Sequence, residues 1–283
     1  MGEDQKGVAP MRLVAIAVAL ALSGCGGSGG GGSPSAPPPA PTAPAARVAP
    51  LQFGYFGIAD VATTASSVTF THAVDWGAWG TDTEAIKARI IAQLKACKAS
   101  GISAIMSTGF LTFTAAYAYI GTAELVAFKA QLDALELSQV VIALYPIDEP
   151  DVHGISDSLM MKCCADTRAA WPGPKLAVIY GSNGKTPGIS AYDWIGRDDY
   201  GAGAGVLSHL PPIRADQQWI IVPGGADPWR QDPVPFVSFA DTHNQVAVLM
   251  PFLYSDYAGG QGIGTNGMLP AYAAAGSVIK AST

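Results

Sequence analysis

The chain has 283 residues, 49% of them hydrophobic and 13% charged, and its 16 basic and 22 acidic side chains leave a formal charge of -6. That balance excludes disorder throughout, and 33 Gly with 21 Pro exclude a long helical coiled coil. A phosphate backbone demands clustered positive charge, and no basic cluster occurs, so nucleic acid is not an expected partner.

In chain order, the first feature is Met11-Arg12 followed by the apolar run Leu13 to Leu22. The run is too short for about 30 Å of hydrocarbon and has the length of a signal-peptide core. It ends in Leu22-Ser23-Gly24-Cys25. This tetrapeptide resembles the lipobox of bacterial lipoproteins, in which the signal is cut before a Cys that carries the lipid. The resemblance implies a signal peptide over residues 1–25 with Met11 as initiator, lipidation of Cys25, and a membrane partner reached through that anchor. By the same resemblance, Gly26 after Cys25 points to the outer membrane of the cell envelope.

Residues 26–50 pass from Gly and Ser into Pro and Ala, which can bury no core and read as a tether. Its reach is about 50–75 Å at about 3 Å per extended residue. The folded module is expected over residues 51–283, a usual size for one α/β barrel. With Cys25 lipidated, Cys97 and Cys163 fall on apolar helix stripes, so they and Cys164 are expected as buried free thiols. Neither CxxC nor paired His spacing occurs, and no metal or cofactor is expected.

Within the module, Gln52 to Ile58 reads as a strand and Ser67 to Thr71 as a weaker one. Thr81-Asp82-Thr83-Glu84 has capping-box spacing, and Ile86, Ile90, Leu94 and Cys97 recur on one face until Gly101 stops the helix. Ile102 to Met106 is a continuous apolar run, the pattern of a strand buried on both faces. A helix over Thr122 to Leu137 carries Leu125, Phe128, Leu132 and Leu135, and the strand Val140 to Tyr145 follows it. A third helix starts near Ser156, buries Leu159, Cys163 and Thr167, and stops at Pro172-Gly173-Pro174 before the strand Lys175 to Tyr180. Asp193 to Gly196, Trp219 to Val222 and Val246 to Leu253 supply three more strands, with a short helix over Phe236 to Asn244. Eight strands with interleaved helices predict an α/β (β/α)8 TIM barrel, its helices shortened or missing after the first, fifth and sixth strands. The alternative is an open doubly wound sheet, although its glycine fingerprint is absent from the first turn.

Two motifs fail on inspection. Gly184-Lys185-Thr186 lacks the phosphate-loop glycine, having Ile179 in its place, and Pro187-Gly188 blocks the helix that must follow. Gly262-x-Gly264-x-x-Gly267 comes too near the end for a dinucleotide unit, and no serine-hydrolase elbow occurs. What survives is Val140 to Tyr145 followed by Pro146-Ile147-Asp148-Glu149-Pro150-Asp151, which puts adjacent acids at the carboxyl end of a buried strand, where barrels keep their chemistry.

This segment resembles the barrel glycoside hydrolases of the clan whose fourth strand ends in Asn-Glu-Pro or Asp-Glu-Pro. The resemblance implies hydrolysis of a poly- or oligosaccharide, with Glu149 as general acid/base and Asp148 beside it. It also implies a nucleophilic Glu at the end of the seventh strand, where this chain reads Val222-Pro223-Gly224-Gly225-Ala226-Asp227 and departs from the pattern. Asp227, Asp198 and Asp199 are the candidate second carboxylates, with Asp256 a further one and Arg197 an expected ion partner for one of the Asp198–Asp199 pair. A carbohydrate partner would rest on Tyr55, Trp76, Trp79, Tyr145, Tyr200, Trp229 and Tyr257, which lie in or after strands, while Trp194 and Tyr254 are expected in the core. The alternatives are a non-catalytic carbohydrate-binding module and a structural envelope lipoprotein.

Overall fold

The computed structural model describes residues 50–57, 61–73, 82–182, 184–256 and 260–282. Cys25 and the rest of residues 1–49, together with Trp76, Trp79 and Tyr257, lie outside them. The strands are β1 Gln52–Phe53, β2 Phe70–Ala73, β3 Ser103–Ser107, β4 Val141–Tyr145, β5 Lys175–Tyr180, β6 Trp194–Arg197, β7 Gln218–Ile221 and β8 Val246–Leu249. Their spatial order is β1-β8-β7-β6-β5-β4-β3-β2, with every pairing parallel. The Phe53 carbonyl accepts the Thr69 N–H at 2.7 Å just ahead of β2, which closes the sheet into a (β/α)8 barrel. An open doubly wound sheet would interleave the strand order instead.

The strands after Phe53 and Leu249 end earlier than their apolar runs suggest, because pairing there turns irregular: the Phe56 N–H still reaches the Pro251 carbonyl at 3.1 Å, but outside a regular ladder. Along β5, Leu176, Val178 and Tyr180 belong to the layer under the helices, while Ala177 and Ile179 fill the barrel interior. This is the period of two expected when both faces of a strand are covered.

Helices α1 Val61–Thr64, α2 Thr83–Ser100, α3 Gly109–Thr112, α4 Ala123–Ala134, α5 Asp157–Ala170, α6 Val234–Thr242 and α7 Leu269–Ala281 surround the strands. β1 is followed by the four-residue α1, and β5 and β6 by 3-10 segments at Ile189–Ala191 and Tyr200–His209. Pro187-Gly188 and the glycines 201, 203 and 205 explain the missing α-helices, since Pro removes a donor and Gly costs about 1 kcal/mol against Ala in a helix. On α2 the cap is Asp82 rather than Thr81, its carboxylate accepting the Ala85 N–H at 3.0 Å, and Ile86, Ile90, Leu94 and Cys97 are all buried. Gly101 ends that helix with φ +66°, a conformation that suits a residue without Cβ.

Two helix stripes need correction. α4 ends at Ala134, so Leu135 lies beyond it and is exposed. On α5, Met160, Cys163, Cys164 and Thr167 make the buried i, i+3, i+4, i+7 face, which leaves Leu159 half-buried at its edge. Cys97, Cys163 and Cys164 are free and buried; burial pushes the Cys97 and Cys163 thiols up to about 12 and Cys164 to about 11, which keeps them unreactive. The C-terminal α7 was not among the expected elements, although Pro270 at its start and the spacing of Tyr272, Gly276 and Ile279 mark it.

Candidate active site

β5 stands between β4 and β6, and its last two carbonyls hold the residues that follow both neighbours. The Glu149 N–H donates to the Ile179 carbonyl at 3.2 Å, and the Asp198 N–H donates to the Tyr180 carbonyl at 3.0 Å. The next residue of β5's strand path is Gly181. A Cβ there would stand 2.8 Å from Glu149 Oε1 and 2.5 Å from Val152 Cγ2, so the Glu149 carboxyl rests over a bare α-carbon. The Gly181 N–H donates to Asp151 Oδ1 at 3.0 Å, which ties the same turn to the β4 loop. Glu149 has φ +41°, held there by the Val152 and His153 N–H groups donating to its carbonyl at 2.9 and 3.2 Å. A non-glycine residue in that region is strained, and such strain concentrates at functional sites.

The side chains complete an acid cluster. Tyr145 donates its hydroxyl to Asp148 Oδ1 at 2.5 Å, Tyr200 donates to Asp198 Oδ2 at 3.0 Å, and Asp198 lies near enough to Glu149 for the charge of that residue to act on it. Burial pushes the Asp148 carboxyl up to about 7; the Tyr145 hydroxyl opposes the shift, and the charges of Glu149 and Asp151 add to it. Asp198 is held well above the usual carboxylate range, first by burial, then by the charges of Glu149 and Asp148. Carboxyls that keep protons near neutrality can deliver them, which is what general-acid chemistry requires.

Of the other sequence candidates, Asp199 opens the 3-10 segment after β6, its carbonyl accepting the Ala202 N–H at 3.0 Å. Arg197 donates to the His209 carbonyl at 3.2 Å, and Asp198 accepts from Tyr200. Asp227 is ion-paired: Arg230 grips both its oxygens and holds its carboxyl below the usual range. Asp256 serves its own loop, accepting from the Gly262 N–H at 2.8 Å and from the Thr265 hydroxyl.

The aromatic candidates divide in the same way. Tyr200 stacks on Phe252 with centroids 5.1 Å apart, and Trp229 tilts against Tyr200 at 5.2 Å, giving a half-buried aromatic wall beside Asp198. Tyr145 is buried in the barrel interior and serves Asp148 rather than a ligand face. Tyr55 is corrected as a ligand contact: it is wholly buried, with Phe53 at 5.3 Å and Tyr254 at 5.2 Å. Trp194 lies in the core as expected.

Three contributors were missed. Phe252 belonged to a run read as strand. Tyr117 and His153 stack at 3.7 Å, and Tyr117 is raised by burial and by the charges of Asp148 and Glu149. The sequence carried a signal for His153 in its place four residues after Glu149, but none for Tyr117, which sits in a turn with φ +60°. Beside this cluster a cavity of about 490 Å³ opens between the β4 and β5 loops, lined by Asp151, Ser156, Asp157, Lys185 and Thr186. Among the described residues no group of three or more His, Cys, Asp or Glu is placed to hold a metal ion.

Gly181→Ala tests the arrangement. The new methyl meets the ends of two side chains, Val152 and Glu149, so the fold should tolerate it while the Glu149 carboxyl is pushed aside. A catalytic role for Glu149 predicts a loss of about 10²-fold in kcat, the scale of a 1 Å misplacement. Unchanged kinetics in a variant of unchanged melting temperature would count against that placement.

No protein-family model matches the chain, and no curated protein matches it. Solved structures do share the fold. The mannohexaose complex of a Thermomonospora fusca β-mannanase is 12% identical over 75% of this chain and 80% of that one, with a TM-score of 0.50. A family 113 β-mannanase from Alicyclobacillus acidocaldarius is 11% identical over 83% of this chain and 97% of its own, with a TM-score of 0.48. The chain thus has a TIM-barrel fold of the kind found in glycoside hydrolases.

Proposed function

We propose that the module is a glycoside hydrolase acting on a poly- or oligosaccharide, with Glu149 as the group that protonates the leaving oxygen. The observation that carries this reading is the gathering of Asp148, Glu149 and Asp198 at the carboxyl ends of β4 and β6, where burial lets Asp148 and Asp198 keep protons beside the aromatic wall of Tyr200, Trp229 and Phe252. Aromatic faces suit the apolar side of a sugar ring, and buried acids suit its glycosidic oxygen. The shared fold with a β-mannanase that holds mannohexaose makes manno-oligosaccharides the first substrates to try. Incubating the purified chain with a panel of oligosaccharides and polysaccharides should release new reducing ends from at least one. A panel that stays intact, with sugars still bound, would favour the binding module.

We further propose a lipid anchor at Cys25, which the lipobox-like Leu22-Ser23-Gly24-Cys25 supports, with the module held on a tether at the cell envelope and, by Gly26, at the outer membrane. Cys25→Ser should move the protein from the membrane fraction to the soluble fraction. Unchanged membrane fractionation would reject the anchor, since the lipid on Cys25 is the postulated attachment.

A further inference from the structure

We propose that Glu149 and Asp198 form a dyad that holds a single proton, with Asp198 acting through Glu149 as its positioning residue. The role in hydrolysis rests on the glycosidase reading above; the shared proton does not. Adjacent carbonyls of β5 pin the two backbones side by side at one strand end, the Glu149 carboxyl lies over the next residue, Gly181, and its charge acts on Asp198. The Tyr200 hydroxyl occupies Asp198 Oδ2, while Asp198 Oδ1 is buried and accepts no hydrogen bond. Two ionised carboxylates in contact offer each other no donor and repel, so both would carry an unmet desolvation cost. One proton on Asp198 Oδ1 removes the conflict, because that oxygen then donates to the Glu149 carboxylate.

The surroundings favour retention of that proton. Asp148 and Tyr145 stand on the β4 side with Asp151 and His153 beyond them, Tyr117 comes from the loop after β3, and Tyr200 comes from the segment after β6. Asp148 and Glu149 add negative charge next to Asp198, and burial adds to their effect.

The proton balance of hydrolysis closes on this pair. The shared proton moves onto Glu149 and passes to the glycosidic oxygen as the bond from that oxygen to the anomeric carbon breaks, and the alcohol leaves with it. The dyad is then doubly ionised and faces the cationic sugar. Water adds its oxygen to the anomeric carbon and returns one proton to the dyad, restoring its starting state.

Infrared difference spectra between wild type and Asp198→Asn at pH 7 test the shared proton, with Asp148→Asn identifying the separate band of Asp148. A protonated-carboxyl stretch present in wild type and absent from Asp198→Asn is expected; no such band would overturn the dyad whatever the activity. The pH profile reads the role: with the charge at position 198 removed, the proton that the reaction spends is held less tightly, so the alkaline limb of kcat/KM should move to lower pH by about one unit or more. A limb that stays in place while the rate falls would mark Asp198 as merely structural and overturn its role. Should Asp198→Asn fail to fold, Glu149→Gln removes the like charge from the other side, and the Asp198 band should then titrate at lower pH; a band that titrates unchanged would overturn the sharing. If the band is lost as expected but wild type cleaves no glycan, the glycosidase reading fails and the dyad stands.

Discussion

Glu149→Gln should lower turnover by about 10² to 10⁴-fold while leaving the melting temperature nearly unchanged. The amide preserves volume and keeps the backbone bond to Ile179, and it still fits over the bare α-carbon of Gly181. What it lacks is a proton that can be given away. Substrates with activated leaving groups need little protonation, so the variant should recover part of its rate on aryl glycosides and little on natural oligosaccharides. A structural role gives the opposite pattern, a stability loss on the order of 1 kcal/mol with activity spared. Kinetics on both substrate types alongside thermal melting separate the two, and a variant as active as wild type would end the case for Glu149 as the acid.

What the sequence showed of this site depended on whether the deciding interaction was local. Glu149 was legible because its chemistry sits in one segment, an apolar strand followed at once by acids and Pro150. The α2 stripe was legible for the same reason, since a helical period repeats within a few residues, and the weakened helices after β5 and β6 were written in Pro and Gly. Asp198 could not be told from Asp199 or Asp227, because the choice depends on β5 lying between β4 and β6 and on which β5 carbonyl takes which N–H. Adjacent residues on a strand path point in opposite directions, so the register of that one bond decides which of the two aspartates meets Glu149. The ion pair of Asp227 did have a local signal, Arg230 three residues on. Tyr55 carried a local signal too: counted along the strand from Phe53 it points to the helices, and Phe56, one residue on, takes the barrel interior.

The barrel that carries the site is closed by its shortest strand, and Gly54→Ala should destabilise it more than any ordinary surface change. β1 has two regular residues, and its seam with β2 depends on Phe53, whose N–H donates to Thr69 Oγ1 at 2.8 Å and whose carbonyl accepts the Thr69 N–H at 2.7 Å. At Gly54 a Cβ would stand 2.3 Å from the Phe70 carbonyl oxygen and 2.9 Å from two atoms of its ring. The ring is wholly buried in the barrel interior, and the carbonyl belongs to β2, which pairs with β3 from Phe70 onward, so neither can yield as a flexible side-chain end would. The added methyl must part β1 from β2, and overpacking of this kind costs about 1–3 kcal/mol, more where backbone is the obstacle. At about 2–4 °C per kcal/mol for a domain of this size, the melting temperature should fall by several degrees. Gly205→Ala is the control: Ala202 Cβ at 3.8 Å is its one close neighbour, so its stability should hardly move. Equal denaturant midpoints for Gly54→Ala and wild type would mean that the β1–β2 seam opens freely, and the barrel would then not depend on that closure.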